Sequence, residues 1–277
     1  CKPSSVEVVV FFLKKDHKMK EFNKMNTKKT NIFVITHKDF YMPDINGYSP
    51  ILAGAKYNSA TISLKDNSGD NISVLNHSFC ELTAQYWVWK NVSLEKNVGF
   101  VHYRRFFYKN RFDNNASNIL SLDEIEKILL SKDIILAQKM PLRRSVRDDY
   151  ARYHNLADML KVREILEKSY PGYIPAFDGL MESHSFSPFN MFVSSRQLFA
   201  EYMNWLFDIL FQAKNEIDFS EYDKYNQRVF GFIAERLLNV WVIGKGLNVQ
   251  YCPVYQNNDN VIVTEFKNSL KKILFVK

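Results

Sequence analysis

Cysteine is scarce, long apolar runs are missing, and no segment repeats. The three cysteines of this 277-residue chain, Cys1, Cys80 and Cys252, show no C-x-x-C spacing. That argues against a disulfide framework and against a zinc site, and it makes a reducing cytoplasm the default compartment. No apolar stretch approaches the ~18 residues that a spanning helix needs. The longest early one, Val8 to Leu13, is closed by Lys14 and Lys15. With no internal repeat and no low-complexity tract, repeat arrays are excluded. Basic residues are dispersed, and no RNP, KH or helix-turn-helix pattern occurs, so nucleic acid is not an expected partner.

What is present is a globular composition: 46% hydrophobic residues, ample for a buried core in one large domain. Net charge is +7 with a pI near 9.1, which favours an anionic partner without specifying a fold. Three segments are expected: an N-terminal extension over 1–30, a main domain over 31–255 and a basic tail over 256–277. A lipid-modified Cys1 is the sharper alternative for the start of the chain. The tail reads either as a helix lying on an acidic membrane surface or as a solvated terminus.

Along the main domain, short apolar runs alternate with helical periodicity. Asn31 to Thr36 reads as a buried strand, and the Pro-, Gly-, Asn- and Asp-rich stretch from Tyr41 to Asp70 as a long irregular region. Ser78-Phe79-Cys80-Glu81 has capping-box spacing, and Phe79, Leu82, Tyr86 and Trp89 recur at helical intervals, which predicts a helix over 78–90 with Trp87 and Trp89 in the core. Strands follow at 97–101 and 133–137, separated by a helix that Ser121 and Glu124 cap. Residues 138–149 read as a basic loop carrying Arg143, Arg144 and Arg147. A helix starting near Asp148 then places Tyr150, His154 and Asp158 on one face. Pro171 to Pro188 reads as a loop and Phe189 to Val193 as a strand. A capping box over Ser194 to Gln197 opens a helix that runs to about Ala213. A helix over 226–241 buries Val229, Ile233, Leu237 and Val240 and groups Arg228, Gly231 and Glu235 opposite them. Leu247, Val249 and Tyr251 alternate as a last strand. This alternation of strands and helices is α/β in character.

The most informative stretch is Gly99-Phe100-Val101-His102-Tyr103-Arg104-Arg105-Phe106-Phe107-Tyr108. An apolar strand empties into a His, two guanidinium groups and a cluster of aromatics. Adjacent Arg forks match phosphate oxygens bidentately and are fixed by stacking on aromatic rings. The competing reading is a surface strand with snorkelling side chains. If the strand continued through Arg105, the two Arg side chains would point to opposite faces, so a break at His102 is part of the anion-binding reading.

Taken in order, Gly69-Asp70-Asn71-Ile72-Ser73, Asn76, Cys80-Glu81-Leu82-Thr83-Ala84, Tyr86 to Asn91 and Gly99 to Phe106 resemble a bacterial family catalogued as domain of unknown function 4422. That family is found in capsule, exopolysaccharide and O-antigen gene clusters, and its members are regarded as glycosyltransferases. The likeness continues through Tyr150, His154 and Asp158, Asn190-Met191-Phe192, Tyr202, Trp205 to Leu210, and Phe230 to Leu238, and so covers about residues 31–241.

The resemblance implies a single-domain, GT-A-like α/β fold with a central, mostly parallel sheet flanked by helices. It also implies transfer of a hexose, most commonly galactose in pyranose or furanose form, from a nucleotide donor, UDP-linked by expectation, onto a growing glycan or lipid-linked oligosaccharide. GT-A enzymes usually neutralise the leaving diphosphate with a metal held by an Asp-x-Asp after a central strand. Here no such triplet stands in or directly after the 97–101 strand, so no metal cofactor is expected. His102, Arg104, Arg105 and His154 are the candidate diphosphate contacts, His154 being equally a residue that pins its helix. A carboxylate one turn away from it, Asp158, would fix its tautomer and raise its pKa.

Candidate catalytic carboxylates are Asp178 and Glu182, in the loop ahead of Asn190, and Glu235, beside Gly231 on its helix; for each, a turn cap or a solvated face is the plainer role. Thr36, Asn71, Asn76, Glu81 and Asn190 are candidates for contacts to nucleotide or sugar, with Glu81 equally explained by a capping box. The alternative function is a non-catalytic module in which the Arg pair and the basic loop grip an acidic glycan or a phospholipid headgroup.

Overall fold

A computed structural model describes residues 30–112 and 115–256. The extension expected over 1–30 and the basic tail expected over 256–277 fall outside these residues except for Thr30 and Gln256, which lie in strands.

Strand β1 (Thr30–Thr36) is buried along its whole length, as its β-branched run dictates. The stretch expected to be irregular contains β2 (Tyr48–Leu52) and the two-residue β3 (Leu64–Lys65). Their surrounding Pro, Gly and Asn residues mask strands this short. The helix expected over 78–90 is two pieces, α1 (Asn76–Phe79) and α2 (Leu82–Asn91), because Cys80 takes φ 51° between them. The Ser78–Glu81 capping box does not form: Ser78 Oγ donates back to the Leu75 carbonyl, and Glu81 makes no side-chain cap. Next come β4 (Asn97–His102), β5 (Arg105–Phe107) and α3 (Leu122–Ile128). In α3 the Ser121–Glu124 box is complete in both directions, as its spacing requires.

After β6 (Ile134–Ala137) and β7 (Met140–Pro141), Ser145 caps α4 (Val146–Tyr153), which stops one residue before His154. Helix α5 (Leu156–Ser169) has its own cap, Asn155, so Tyr150, His154 and Asp158 do not share one helix face. The Pro171–Pro188 stretch is no loop. Pro171 opens a short 3-10 turn, Pro175 occupies the first turn of α6 (Ile174–Glu182), and β8 (Ser185–Phe186) follows. Proline is accommodated in a first helical turn, where the missing N–H is not needed. Strand β9 (Phe192–Ser195) starts later than expected, and Ser195, rather than Ser194, caps α7 (Arg196–Glu216). Gln197 donates to Glu201 instead of closing a box. Helix α8 (Val229–Gly244), β10 (Val249–Cys252) and β11 (Val254–Gln256) complete the described chain.

The main sheet runs β10-β6-β9-β4-β1-β2-β3. Its strands are parallel except β9, which lies antiparallel between β4 and β6. Strand β5 folds back from the end of β4 and pairs β11. Period-two alternation splits the core. Phe33, Phe100 and Phe192 pack with α2, α7 and α8 on one face, whereas Ile32, Val34, Val101 and Val193 pack with Phe106, Phe107 and Ile125 on the other. Gly99 lies where a side chain would run into Val193 and Ile32 from the flanking strands.

Strand order turns outward in opposite directions from β1 and β4, and the carboxyl ends of two such strands frame a crevice. Its outer wall is built on Asp66. This fully buried carboxylate accepts from the Gly54 and Ala55 N–H groups at 2.7 and 2.9 Å and from Ser73 Oγ at 2.7 Å. Asp66→Ala leaves these donors unpaired and is expected to lower the unfolding free energy by about 3 kcal/mol, read as a lower urea midpoint with an unchanged slope.

Candidate functional site

Strand β4 ends at His102, Tyr103 and Arg104 form a two-residue turn, and Arg105 pairs directly across from His102. The strand therefore breaks where the anion-binding reading requires it. The two guanidinium groups take separate platforms: Arg104 lies 4.8 Å from the Tyr103 ring centroid and Arg105 4.3 Å from that of Phe189. The Nε atoms of both, and Nε2 of His102, are buried and without a hydrogen-bond partner. Among the described residues no carboxylate lies within ion-pairing distance of either Arg.

The Phe189 platform is itself strained. Phe189 and Asn190 take φ values of 84° and 49°, a region that a bulky residue enters only when its surroundings force it. Four contacts supply that force. The Phe189 N–H donates to Glu235 Oε1 at 3.1 Å, and Gln85 Nε2 donates to the Asn190 carbonyl at 2.9 Å. Asn190 Nδ2 donates to Glu81 Oε1 at 2.7 Å and to the Gly231 carbonyl at 3.0 Å. Asn190 Oδ1 stays buried and unpartnered. Glu81 is thus tied to Asn190 across the crevice, and its place ahead of α2 gives it no capping role.

Arg228, which the spacing of the last helix groups with Gly231 and Glu235, completes the cationic set. Its Nε donates to Cys80 Sγ at 3.3 Å, and its guanidinium lies 5.3 Å from the Phe232 ring. Gly231 faces Cys80 across this contact: an added Cβ would sit 3.4 Å from Sγ, an ordinary packing distance. Burial and then Glu81 push the Cys80 thiol up to about 12, against the pull of Arg228. Burial pushes His102 down to about 4; Glu81 opposes this, and Arg105 and Arg228 add to it. His37, edge-on to Tyr103 at 5.3 Å, is lowered by burial and then by Lys38, Arg104 and Arg228.

Burial raises Glu235 although Arg236 Nη1, 3.1 Å from its Oε2, opposes this. Its side chain is only one-fifth exposed, so the side of α8 opposite its main apolar stripe is not a solvated face.

His154 stands beside this set at the end of α4, stacked on Phe232 with centroids 4.1 Å apart. Asn226, rather than Asp158, holds its Nδ1, at 2.8 Å. Asp158 instead accepts from the Tyr222 hydroxyl. The pKa of His154 accordingly moves opposite to expectation: burial lowers it, the Asn226 bond opposes this, and Arg236 adds to the lowering.

Several sequence candidates are not brought here. Asp178 is gripped by Arg163 Nε and Nη2 at 2.8 and 2.9 Å, and that guanidinium holds its carboxyl below the usual carboxylate range. Glu182 is exposed and pairs with Arg147 at 3.5 Å. Both lie on α6, and none of these partners belongs to the cluster. Asn71 is spent on its own turn, donating to the Gly69 carbonyl and accepting from the Ser73 N–H. Asn76 Nδ2 closes the α1–α2 break through the Cys80 carbonyl and Thr83 Oγ1, and Thr36 Oγ1 donates to the Lys38 carbonyl at 2.6 Å. Phe189, Asn226 and Arg236 had no sequence signal of their own, since their roles arise from a strained turn and long-range contacts.

Among the described residues no three His, Cys, Asp or Glu side chains converge in a cluster that could hold an ion. Nor is any helix among them long and apolar enough to cross a membrane.

No curated protein matches this chain. Among solved structures, it is similar to the apo structure of the WbbM bifunctional glycosyltransferase, at 29% identity and a TM-score of 0.76 over 83% of this chain and 46% of that one. The chain thus spans about half the length of that protein. The family described as Domain of unknown function (DUF4422) matches over residues 31–246, the region that contains β4, the Phe189–Asn190 turn and α8, and the chain belongs to that family.

Proposed function

We propose that this chain is a glycosyltransferase that moves a hexose from a nucleoside-diphosphate donor to a glycan or lipid-linked acceptor, with guanidinium groups in place of a metal at the leaving diphosphate. The observation that carries this reading is the Arg104–Arg105 pair at the carboxyl end of β4, each guanidinium set over an aromatic ring and neither within ion-pairing distance of a carboxylate among the described residues. Fixed cations without a protein counter-charge suit an anionic ligand. Family membership and the likeness to a bifunctional glycosyltransferase support the class of reaction. Galactose as the sugar and UDP as the carrier rest on the family resemblance.

As the anomeric C–O bond breaks, negative charge gathers on the departing diphosphate oxygen. Arg105 and Arg228 face that charge from positions already fixed by Phe189 and Cys80, so little reorganisation is needed during the step. Arg104 extends the cationic rim on the Tyr103 side. Glu235 serves by holding the Phe189 N–H, and Asn190 by tying the turn to Glu81 and Gly231. With its pKa near 4, His102 contributes a hydrogen bond and no charge.

Arg105→Ala is expected to slow transfer roughly a hundredfold or more. The assay offers UDP-galactose, UDP-galactofuranose, UDP-glucose and other donors with and without EDTA and follows nucleotide release. Activity that vanishes in EDTA and returns with manganese overturns the guanidinium mechanism, while donor binding without cleavage assigns a binding module instead.

His102 also marks the stability profile. Because its folded pKa is depressed, its contribution is present above the unfolded value near 6.5 and is lost as pH falls toward 4. Between those limits wild type is expected to lose on the order of 2–3 kcal/mol more than His102→Gln, measured by urea unfolding across that range.

A further inference from the structure

We propose that His154 is the catalytic base of the transfer, taking the proton of the acceptor hydroxyl on Nε2, with its tautomer set by an Asp223–Asn226–His154 relay. This rests on the glycosyl-transfer reading above and adds the acceptor side to it.

The relay fixes the hydrogens by elimination. Asp223 Oδ2 lies 3.0 Å from Asn226 Nδ2, and an ionised carboxylate only accepts, so the amide nitrogen must face it. Asp223 is held ionised by the Asn226 and Tyr225 backbone N–H groups, at 2.9 and 2.8 Å on Oδ1, which keep its carboxyl below the ordinary range. The Asn226 carbonyl oxygen therefore points the other way, to His154 Nδ1 at 2.8 Å, and Nδ1 must carry the hydrogen. In a neutral ring this leaves Nε2 with a lone pair. Among the described residues that atom has no hydrogen-bond partner, and it is not one of the buried unsatisfied atoms.

The ring cannot turn away from this geometry. Phe232 stacks on it at 4.1 Å, Tyr225 at 5.7 Å and Tyr150 packs at 4.7 Å. The loop that carries the relay is tied to the start of α5, where the Tyr222 hydroxyl donates to Asp158 and accepts from Asn155. Tyr225, half exposed beside the imidazole, offers a ring face on which an acceptor sugar can lie.

The charged groups that face the imidazole come from each packed element: Asp149 and Tyr150 on α4, Asp223 and Tyr225 on the loop, and Arg228 and Arg236 on or next to α8. Burial and the two Arg outweigh the Asn226 bond and Asp149 and lower the pKa of the ring, which favours its neutral form.

The step balances simply. The acceptor oxygen lone pair forms the bond to the anomeric carbon as its proton passes to Nε2. The anomeric C–O bond breaks, with its electron pair leaving on the diphosphate beside Arg105 and Arg228. The imidazolium then releases its proton to water.

The test uses the full chain with UDP-galactose and a galactose-terminated acceptor, follows transfer across pH, and measures UDP binding by calorimetry. His154→Ala is expected to lower kcat by roughly 10²–10⁴, to abolish the acid limb of the rate profile and to keep UDP affinity within about threefold, which also reports a folded variant. Asn226→Leu is expected to cost about tenfold in kcat with UDP affinity kept, and histidine 15N shifts of wild type at pH 7.5 should show His154 protonated at Nδ1. A His154→Ala enzyme that transfers at the wild-type rate, one that loses UDP binding in proportion to activity, or a ring protonated at Nε2 overturns the proposal alone. A wild-type protein that releases nucleotide from none of the donors overturns the transfer reading, and the proposal with it.

Discussion

The site depends on one constraint, the left-handed turn at Phe189–Asn190. A phenylalanine at φ 84° stores strain on the order of 1–3 kcal/mol, and the chain offsets it with four hydrogen bonds to two elements, α2 with its preceding Glu81, and α8. The turn in return aims the Phe189 ring at Arg105 and seats the Asn190 amide between Glu81 and Gly231. Its rigidity explains why two carboxylates can stand near a cationic cluster without ion-pairing Arg105: Glu81 is held by an amide, and Glu235 by a backbone N–H and Arg236. Arg105 is therefore left without a carboxylate partner among the described residues.

Sheet topology supplies the second half of the arrangement. Because β9 runs antiparallel to β4, the turn that precedes β9 arrives at the carboxyl end of β4, beside His102. A parallel β9 would have delivered its leading turn to the opposite edge of the sheet. The reversed strand β9 thus joins the N-terminal half of the domain, with β1 and β4, to the helical half that carries Arg228, Gly231 and Glu235.

Much of this was legible in the chain, and the exceptions share a cause. The α/β alternation, the buried strands at 30–36, 97–102 and 134–137 and the Ser121 box depend on local pattern, which sequence carries directly. Cys80 and His154 are chain breaks without Gly or Pro to announce them, so 78–90 and 150–158 read as continuous helices, and Pro188 ahead of Phe189 reads as the end of a loop before a strand over 189–193. Pro171 and Pro175 misled in the other direction, since proline marks a helix start as readily as a loop, and Asp178 and Glu182 were placed accordingly. Glu81 fitted a capping pattern that the Cys80 conformation forbids. The Arg pair was found from sequence because its neighbours are adjacent in the chain. The Arg228 and Asn226 contacts were not, because Cys80 lies 148 residues and His154 72 residues away.

The three histidines around the cluster connect its two ends. Burial depresses His37, His102 and His154, and Arg228 adds to the depression in each. In the proposed reaction a diphosphate seated among these guanidiniums adds negative charge whose effect on each imidazole in reach opposes the lowering by Arg228. His102, buried deepest, keeps its neutral state through the desolvation that dominates its shift. His154, half-buried and shifted less, gains basicity as the donor binds. In the proposed reaction the proton acceptor is then strengthened only when a leaving group is in place, which ties activation of the acceptor hydroxyl to occupancy of the donor site without any movement of the chain.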